Sequence, residues 1–407
     1  MRETGVRCVG RTIFFLALLI LIGLGGSGHA EESPQAELRS LEKQLDEVEA
    51  QVAEREAAIE ALAAEDRGAV STLSAFLEKV EISGLVAAGG SWQKMSTPST
   101  PTTPSTSDES GTFQLYQGWL EIDKTPTEES RAGFNIALEM GDMATQAGDS
   151  NVPGIFSAYV SYLAPVGRGL QVEVGIMPTA LGAEHENQSK NWNITRGLMW
   201  DLQPITSTGV TFTYSVTDAL SVMVGAINDP FASERFATFE QKSLTTQVSF
   251  QQETWGFKAG ANYGRTAGRS LQPFDPYLPP FVLPAEHRAG IYDFVLTWDP
   301  FENLGFWANF DYLFGEKSNG DPIAGTKAIA LALYLGATET VGFAFRYEWI
   351  GMDNVEQKRF QTFTATISHK PTDSLTGKLE YRYGEEEEFG NQLIEVNGIF
   401  FQWLYEF

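Results

Sequence analysis

Beyond residue 80 the chain is written with a period of two. In 341–349, Val341, Phe343, Phe345, Tyr347 and Trp349 fall on one face of an extended strand, and Arg346 and Glu348 on the other. In 306–314, Phe306, Ala308, Phe310, Tyr312 and Phe314 oppose Asn309 and Asp311. In 210–216, Val210, Phe212, Tyr214 and Val216 oppose Thr211, Thr213 and Ser215. Successive strand side chains point to opposite faces, so each segment is oily on one side and polar on the other. The last stretch, "IFFQWLYEF", follows the same rule: Ile399, Phe401, Trp403, Tyr405 and Phe407 against Gln402 and Glu406. A terminal strand this aromatic needs an apolar surrounding, because the ends of water-facing domains are usually polar and frayed.

Sixteen such segments can be drawn: 80–93, 112–124, 131–142, 153–163, 169–179, 206–216, 219–228, 242–250, 254–265, 287–298, 304–315, 325–335, 341–350, 360–369, 375–384 and 395–407. The alternation is clear in the later ones, and 112–124 alternates poorly. The connections sort by parity. Short ones are "TPTEES", "APVGRG", "TD", "QQE", "DPFEN", "GATET" and "KPTDS"; the long ones, such as "MSTPSTPTTPSTSDESG", 180–205 and 266–286, take the alternate places. An even number of strands of about ten residues, with short turns on one side and long loops on the other, is the pattern of a transmembrane β-barrel. A β-sandwich has no reason to sort its loops by parity. Closure also removes the edge strands that so large an open sheet would expose. The expected fold is therefore an all-β transmembrane antiparallel β-barrel of about 16 strands over residues 79–407, with a bilayer around it and aromatics near the interface.

The N-terminal part differs. Arg2, Arg7 and Arg11 precede the apolar run 13–24, and "GGSGHA" follows, with Gly28 and Ala30 at the small-residue positions. This reads as a signal peptide over 1–30, cleaved after Ala30. The single cysteine, Cys8, lies inside it, which leaves the exported chain without thiol chemistry. Cleavage removes three arginines and one glutamate, moving the formal charge from -25 to -27. That acidity argues against nucleic acid as a partner. Residues 31–78 read as a periplasmic helical coiled-coil segment. Leu38, Leu41, Leu45, Val48, Val52, Ile59, Leu62, Ala69, Leu73 and Phe76 recur in steps of three and four, interrupted at Arg55 and Asp66. Such a seam implies a homo-oligomer, with a trimer as the working expectation.

Several stretches resemble the OmpL-like β-barrel porin family of Gram-negative bacteria. They are "AYVSYLAPVGRGLQVEVGIMPTALGAE" (158–184), "NWNITRGLMW" (191–200), "TGVTFTYSVTDALSVMVGAIND" (208–229), "YDFVLTWDPFENLGFWANFDY" (292–312), "AFRYEWIGM" and "TFTATISHKPTDSLTGKLEYRY" (within 344–383). The resemblance covers roughly 150–407 and implies an outer-membrane barrel that passes small solutes. It brings no catalytic or ligand-contacting residues with it. The coil before the barrel is more like what phosphate-selective and siderophore-related porins show. The closing strand that ends in Phe likewise resembles the assembly signal of bacterial outer-membrane proteins.

Function in such a barrel rests on lumen charges and on any loop that folds inward. Strand parity turns Glu139, Glu173, Lys258, Asp293, Asp311, Arg346, Glu348, Lys378, Glu380 and Arg382 to the lumen. Mixed signs close together, as in Arg346 with Glu348 and in Lys378, Glu380 and Arg382, suit a wall network of ion pairs. The loop 180–205 holds Glu184, His185, Glu186, Lys190, Arg196 and Asp201 together with Trp192, Met199 and Trp200. Its apolar residues give it a reason to enter the lumen. It is expected to form the constriction, with Glu184, Glu186 and Asp201 facing Arg346 or Arg382 across the pore, as charge rings set ion selectivity. A lid over the outer loops is the alternative.

The expected function is passive diffusion of small hydrophilic solutes and ions, weakly cation-selective. The alternatives are a substrate-specific channel of the phosphate or siderophore type and a structural outer-membrane tether. An enzyme is not expected: His185, His287 and His369 have no partner spacing for catalysis or a metal. No cofactor is expected, and the partners are outer-membrane lipid and the solutes themselves. The tract 97–107 reads as a flexible outer loop and "GEEEEFG" (384–390) as a solvated, self-repelling one.

Overall fold

The computed structural model describes residues 39–40, 43–59, 79–97, 105–142, 154–231, 242–266, 269–271, 281–283, 288–316, 321–352, 359–388 and 391–407. The signal segment and the coil positions Leu38, Leu41, Leu62, Ala69, Leu73 and Phe76 lie outside them. The chain divides into two units, 1–76 and 77–407. In the first, 39–40 and 43–59 are helical.

Among its described residues the second unit has eighteen strands: β1 Glu81–Thr97, β2 Thr106–Lys124, β3 Ala132–Met140, β4 Gly154–Ala164, β5 Leu170–Pro178, β6 Thr206–Ser215, β7 Leu220–Ile227, β8 Ser243–Gln251, β9 Trp255–Arg265, β10 Arg269–Leu271, β11 Phe281–Leu283, β12 Arg288–Phe301, β13 Leu304–Glu316, β14 Pro322–Gly336, β15 Val341–Met352, β16 Arg359–Thr372, β17 Leu375–Glu388 and β18 Asn391–Glu406. Sixteen of them close one antiparallel barrel, each paired with its neighbours in sequence, and β18 pairs with β1. The hairpin β10–β11, inside the expected loop 266–286, stands apart.

The two faces of the wall follow from the alternation. On β18, Ile399, Phe401, Trp403 and Tyr405 are exposed to the outside, while Phe400, Gln402 and Leu404 are buried inside. On β15, Phe343 and Tyr347 are outside and Arg346, Glu348 and Ile350 inside. Every lumen assignment made by parity is consistent with the register, including Asp293 opposite Asp311 and Lys378 opposite Gln402. The poor alternation of 112–124 has a cause. The register shifts at Ala87/Ala88, where Gln117 and Leu115 are the partners and Tyr116 is the extra residue. This bulge moves the outward set from the parity of Leu120 to that of Phe113, which stacks edge-on with the lipid-facing Phe401.

Two expected loops are strand in part. Thr97 and Thr106 are paired, leaving 98–104 of the Ser/Thr/Pro tract outside the described residues. Gly384–Glu388 belong to β17, with Glu385 opposite Glu395 and Glu387 opposite Arg359, so the acidic run is held in the ladder as sheet and is not a loop.

Closure is completed by the last residue. Phe407 and Gly84 exchange two backbone hydrogen bonds of 3.0 Å. The Phe407 ring lies over Gly84, where a Cβ would sit 2.5 Å from the ring and 2.8 Å from the Trp119 carbonyl. Gly84→Val is therefore expected to lower the unfolding free energy of the refolded barrel by about 1–3 kcal/mol, read as a shift in the urea midpoint. An unchanged midpoint would show that the seam does not need this close approach.

Candidate functional site: the loop inside the barrel

The connection from β5 to β6, residues 179–205, enters the lumen. Its apolar residues explain why. Leu181, Leu198, Met199 and Leu202 pack on Ala289, Ile291, Leu313, Ala328, Ala330, Ile350 and Phe360 of β12–β16. Ile194, Trp200 and Ile205 pack on Leu85, Tyr116, Trp119, Phe156, Phe400 and Leu404. A short helix, Leu198–Leu202, carries four of these residues, and only Asp201 on it keeps partial exposure. Burying one such side chain contributes about 1.5–3 kcal/mol, a term that favours seating the loop and opposes the entropy of ordering it.

Polar groups of the loop find partners on the wall. The centre is Arg346, fully buried. Its Nη1 lies 2.5 Å from Glu184 Oε1 and its Nε 3.2 Å from Glu348 Oε2, and it also donates to the Thr195 carbonyl at 2.8 Å. Glu184 accepts the Gly197 N–H at 2.7 Å, and Glu348 accepts the Met199 N–H at 3.3 Å. A side chain at 197 would strike both carboxylates, which explains the glycine there. Glu380 accepts the N–H groups of Ile194 and Thr195 at 2.6 and 3.0 Å. Lys378 donates to the Asn191 carbonyl at 2.6 Å, and Asn193 to Thr366 at 2.7 Å. On β2, Gln117 donates to the Glu186 carbonyl and accepts the Gln188 N–H. On β13, Asn309 accepts the Ala183 N–H at 3.1 Å, and Gln203 donates to Asp311 at 2.8 Å. Trp192 stacks on Tyr334 of β14. The loop thus meets strands on both sides of the barrel.

This arrangement corrects the expected charge ring. Glu184 does not face Arg346 across water; it touches it, and both are desolvated. Arg346, Glu348, Lys378 and Glu380 anchor the loop, and Asp293 and Asp311 join them through Gln203 and Asn309. Arg196 is buried, stacked 4.6 Å from the centroid of Trp200, with a hydrogen bond to the Glu186 carbonyl. Asp201 and Arg382 are half-buried. Sequence reasoning missed the apolar lumen wall. Its signal was present in "AIALALYL" (328–335), where both faces of β14 are apolar.

Burial raises the Glu184 carboxyl above its ordinary range, opposed by Arg346, and raises Glu186 likewise. It lowers Arg196 to about 10. Burial, with Lys190, Arg196 and Lys258 nearby, lowers His185 to about 3. Its Nδ1 accepts the Asn187 N–H at 3.3 Å, as a neutral imidazole must, so the contact with Glu186 at 3.4 Å is not an ion pair near neutral pH.

A family model matches residues 79–398, almost the whole barrel. The chain belongs to the family described as "Putative beta-barrel porin-2, OmpL-like". No curated protein matches the chain in sequence. Among solved structures, the outer membrane channel DcaP of Acinetobacter baumannii is similar over 81% of this chain and 97% of that one, with a TM-score of 0.56 and 11% identity. The anion-selective porin from Comamonas acidovorans matches over 81% and 99%, with a TM-score of 0.55 and 10% identity. The trimer form of OmpT, an outer membrane protein of Vibrio cholerae, matches over 81% and 99%, with a TM-score of 0.53 and 12% identity. At these identities the likeness is one of fold.

Arg346→Ala strands two buried carboxylates and is expected to unseat the loop at a cost of about 3–5 kcal/mol. The readout is an early urea transition in tryptophan fluorescence, ahead of barrel unfolding; a single unshifted transition would contradict the anchoring role. The His185 shift has a definite sign. The seated loop holds this imidazole less protonated than a free one, so its stabilisation is complete above pH 6.5 and fades as pH falls towards 3. His185→Asn should reduce the loss of loop stability over that acid range, and identical pH profiles for the two proteins would refute it.

Proposed function

We propose that the barrel is a narrow, weakly cation-selective diffusion channel for small hydrophilic solutes, with the loop 179–205 as its constriction. The observation that carries this reading is where solvated charge remains. The loop-anchoring carboxylates on β15 and β17 are buried, whereas Glu121 and Asp123 on β2 and Glu173 on β5 keep partial exposure. With Glu186 of the loop, they lie within electrostatic reach of the Tyr159 hydroxyl on β4. Lys190, Arg196 and Lys258 act together on His185. An acidic wall on β2–β5 thus stands beside a basic group at the loop, and an aqueous path along the acidic wall favours cations. A plugged tether is the second reading, because the loop packs on so much of the wall.

The N-terminal segment completes the proposal. A signal peptide delivers the chain, and the helix in 31–78 joins copies of it. Leu45, Val48, Val52 and Ile59 on its seam are 44–66% exposed within one chain, which suits burial against other copies in a trimer.

Reversal potentials across a salt gradient test the selectivity. E121Q/D123N/E173Q is expected to move the reversal potential towards zero while openings persist. An unchanged potential would exclude the acidic wall as the selecting element. A silent bilayer with correctly folded protein would favour the tether.

A further inference from the structure

Asp293 on β12 and Asp311 on β13 are register partners, both lumen-facing and both fully buried. Like charges directly opposite on neighbouring strands are destabilising. Their hydrogen-bond partners include two neutral amides. Gln203 Nε2 lies 2.8 Å from Asp311 Oδ2 and 3.4 Å from Asp293 Oδ2, so one nitrogen is bracketed by both carboxylates. Asn309 Nδ2 lies 2.7 Å from Asp293 Oδ2 and 3.2 Å from Asp311 Oδ1. Asp293 Oδ1 is buried with no hydrogen-bond partner. Two carboxylates this close in a dry site do not both stay ionised. The same cluster holds both roots of the loop. Gln203 is at its exit, and at its entry the Ala183 N–H donates to Asn309 Oδ1, which Gln203 Nε2 also reaches at 3.2 Å.

We propose that Asp293 and Asp311 hold one proton between them, and that this shared proton latches the two roots of the loop to β12–β13. Removing it leaves two adjacent negative charges in a buried site. Their repulsion and need for water draw solvent under Leu181–Ala183 and Gln203 and lift those roots from the wall. The latch is closed in acid and opens as pH rises. Of the other titratable groups, Lys258 on β9 lies within electrostatic reach of Asp293; Glu184 and His185 follow Ala183 in the loop and Asp201 precedes Gln203; Arg346 and Glu348 stand on β15, beyond Ala328 and Ala330 of β14. The inference rests on the loop acting as a constriction, but its test does not depend on conduction.

The test is thiol labelling of the full chain carrying C8S, which has no other cysteine. Ala183→Cys reports the loop root, and Thr338→Cys, in an exposed turn, corrects for thiol ionisation. The A183C to T338C rate ratio is expected to rise about tenfold between about pH 6 and about pH 10, and to stay flat when D311N is added. D293N serves the same purpose if D311N does not fold. The other titrating groups persist in both variants. A ratio that never rises, or rises equally with D311N, overturns the latch. Restoration of protection at high pH by Na⁺ or Ca²⁺ also overturns it and makes the pair a cation site. Bilayer conductance recorded alongside separates the two readings: a labelling change in a silent barrel keeps the latch and removes the channel.

Discussion

Inside a bilayer no water is available to satisfy a stray N–H or carbonyl, so each backbone group of a spanning strand must find its partner within the sheet. Closure of β18 on β1 meets that demand here, and the rest depends on it. The ladder runs from Leu85 opposite Glu406 to Ser96 opposite Glu395, and Phe407 extends it to Gly84. Once the ring is closed, the period of two can do its work. One set of side chains meets lipid, and the other is enclosed whatever its chemistry.

That enclosed set is not the uniformly polar lining of an open porin. On β12–β16 it includes Ala289, Ile291, Leu313, Ala328, Ala330, Ile350 and Phe360, and these have a partner only because a loop comes in to cover them. Among them stand Arg346 and Glu348, with Glu380 on the adjoining β17, and all three would be expensive inside an apolar wall if alone. The loop supplies Glu184 and a run of backbone N–H groups from Ile194 to Met199, so each buried charge is met. The loop and this half of the wall are therefore one packed unit. On the opposite wall Glu139 is buried but Glu121, Asp123 and Glu173 keep partial exposure, and that difference underlies the proposed path.

Much of the barrel was legible in residues 80–407 because strand periodicity is local. Most of the segments announce their own faces, and loop lengths announce the topology. The bulge at Tyr116 was legible only as a failure of alternation, since an extra residue inverts parity without changing composition. The lengths of β1, β2 and β17 were underestimated for a related reason. Lys94, Asp108, Glu109, Gly111 and the glutamates 385–388 are poor strand formers, but a neighbour already in register can hold such residues in the ladder.

The candidate site was legible in part. Loop 180–205 stood out because it mixes Trp192, Met199 and Trp200 with charges, and hydrophobic burial is a sufficient reason for it to turn inward. What those charges do there was not legible. Sequence alone determined which side chains face lipid, which face the lumen and which loop has an apolar reason to enter. Only the tertiary structure decided that Glu184 lies against Arg346 and not across water from it, that Glu380 holds backbone N–H groups, and that Gln203 brackets Asp293 and Asp311. These partners are separated by about ninety to nearly two hundred residues. Nothing in a local pattern encodes which of them meet, because their meeting depends on barrel closure and on the path of the loop through it.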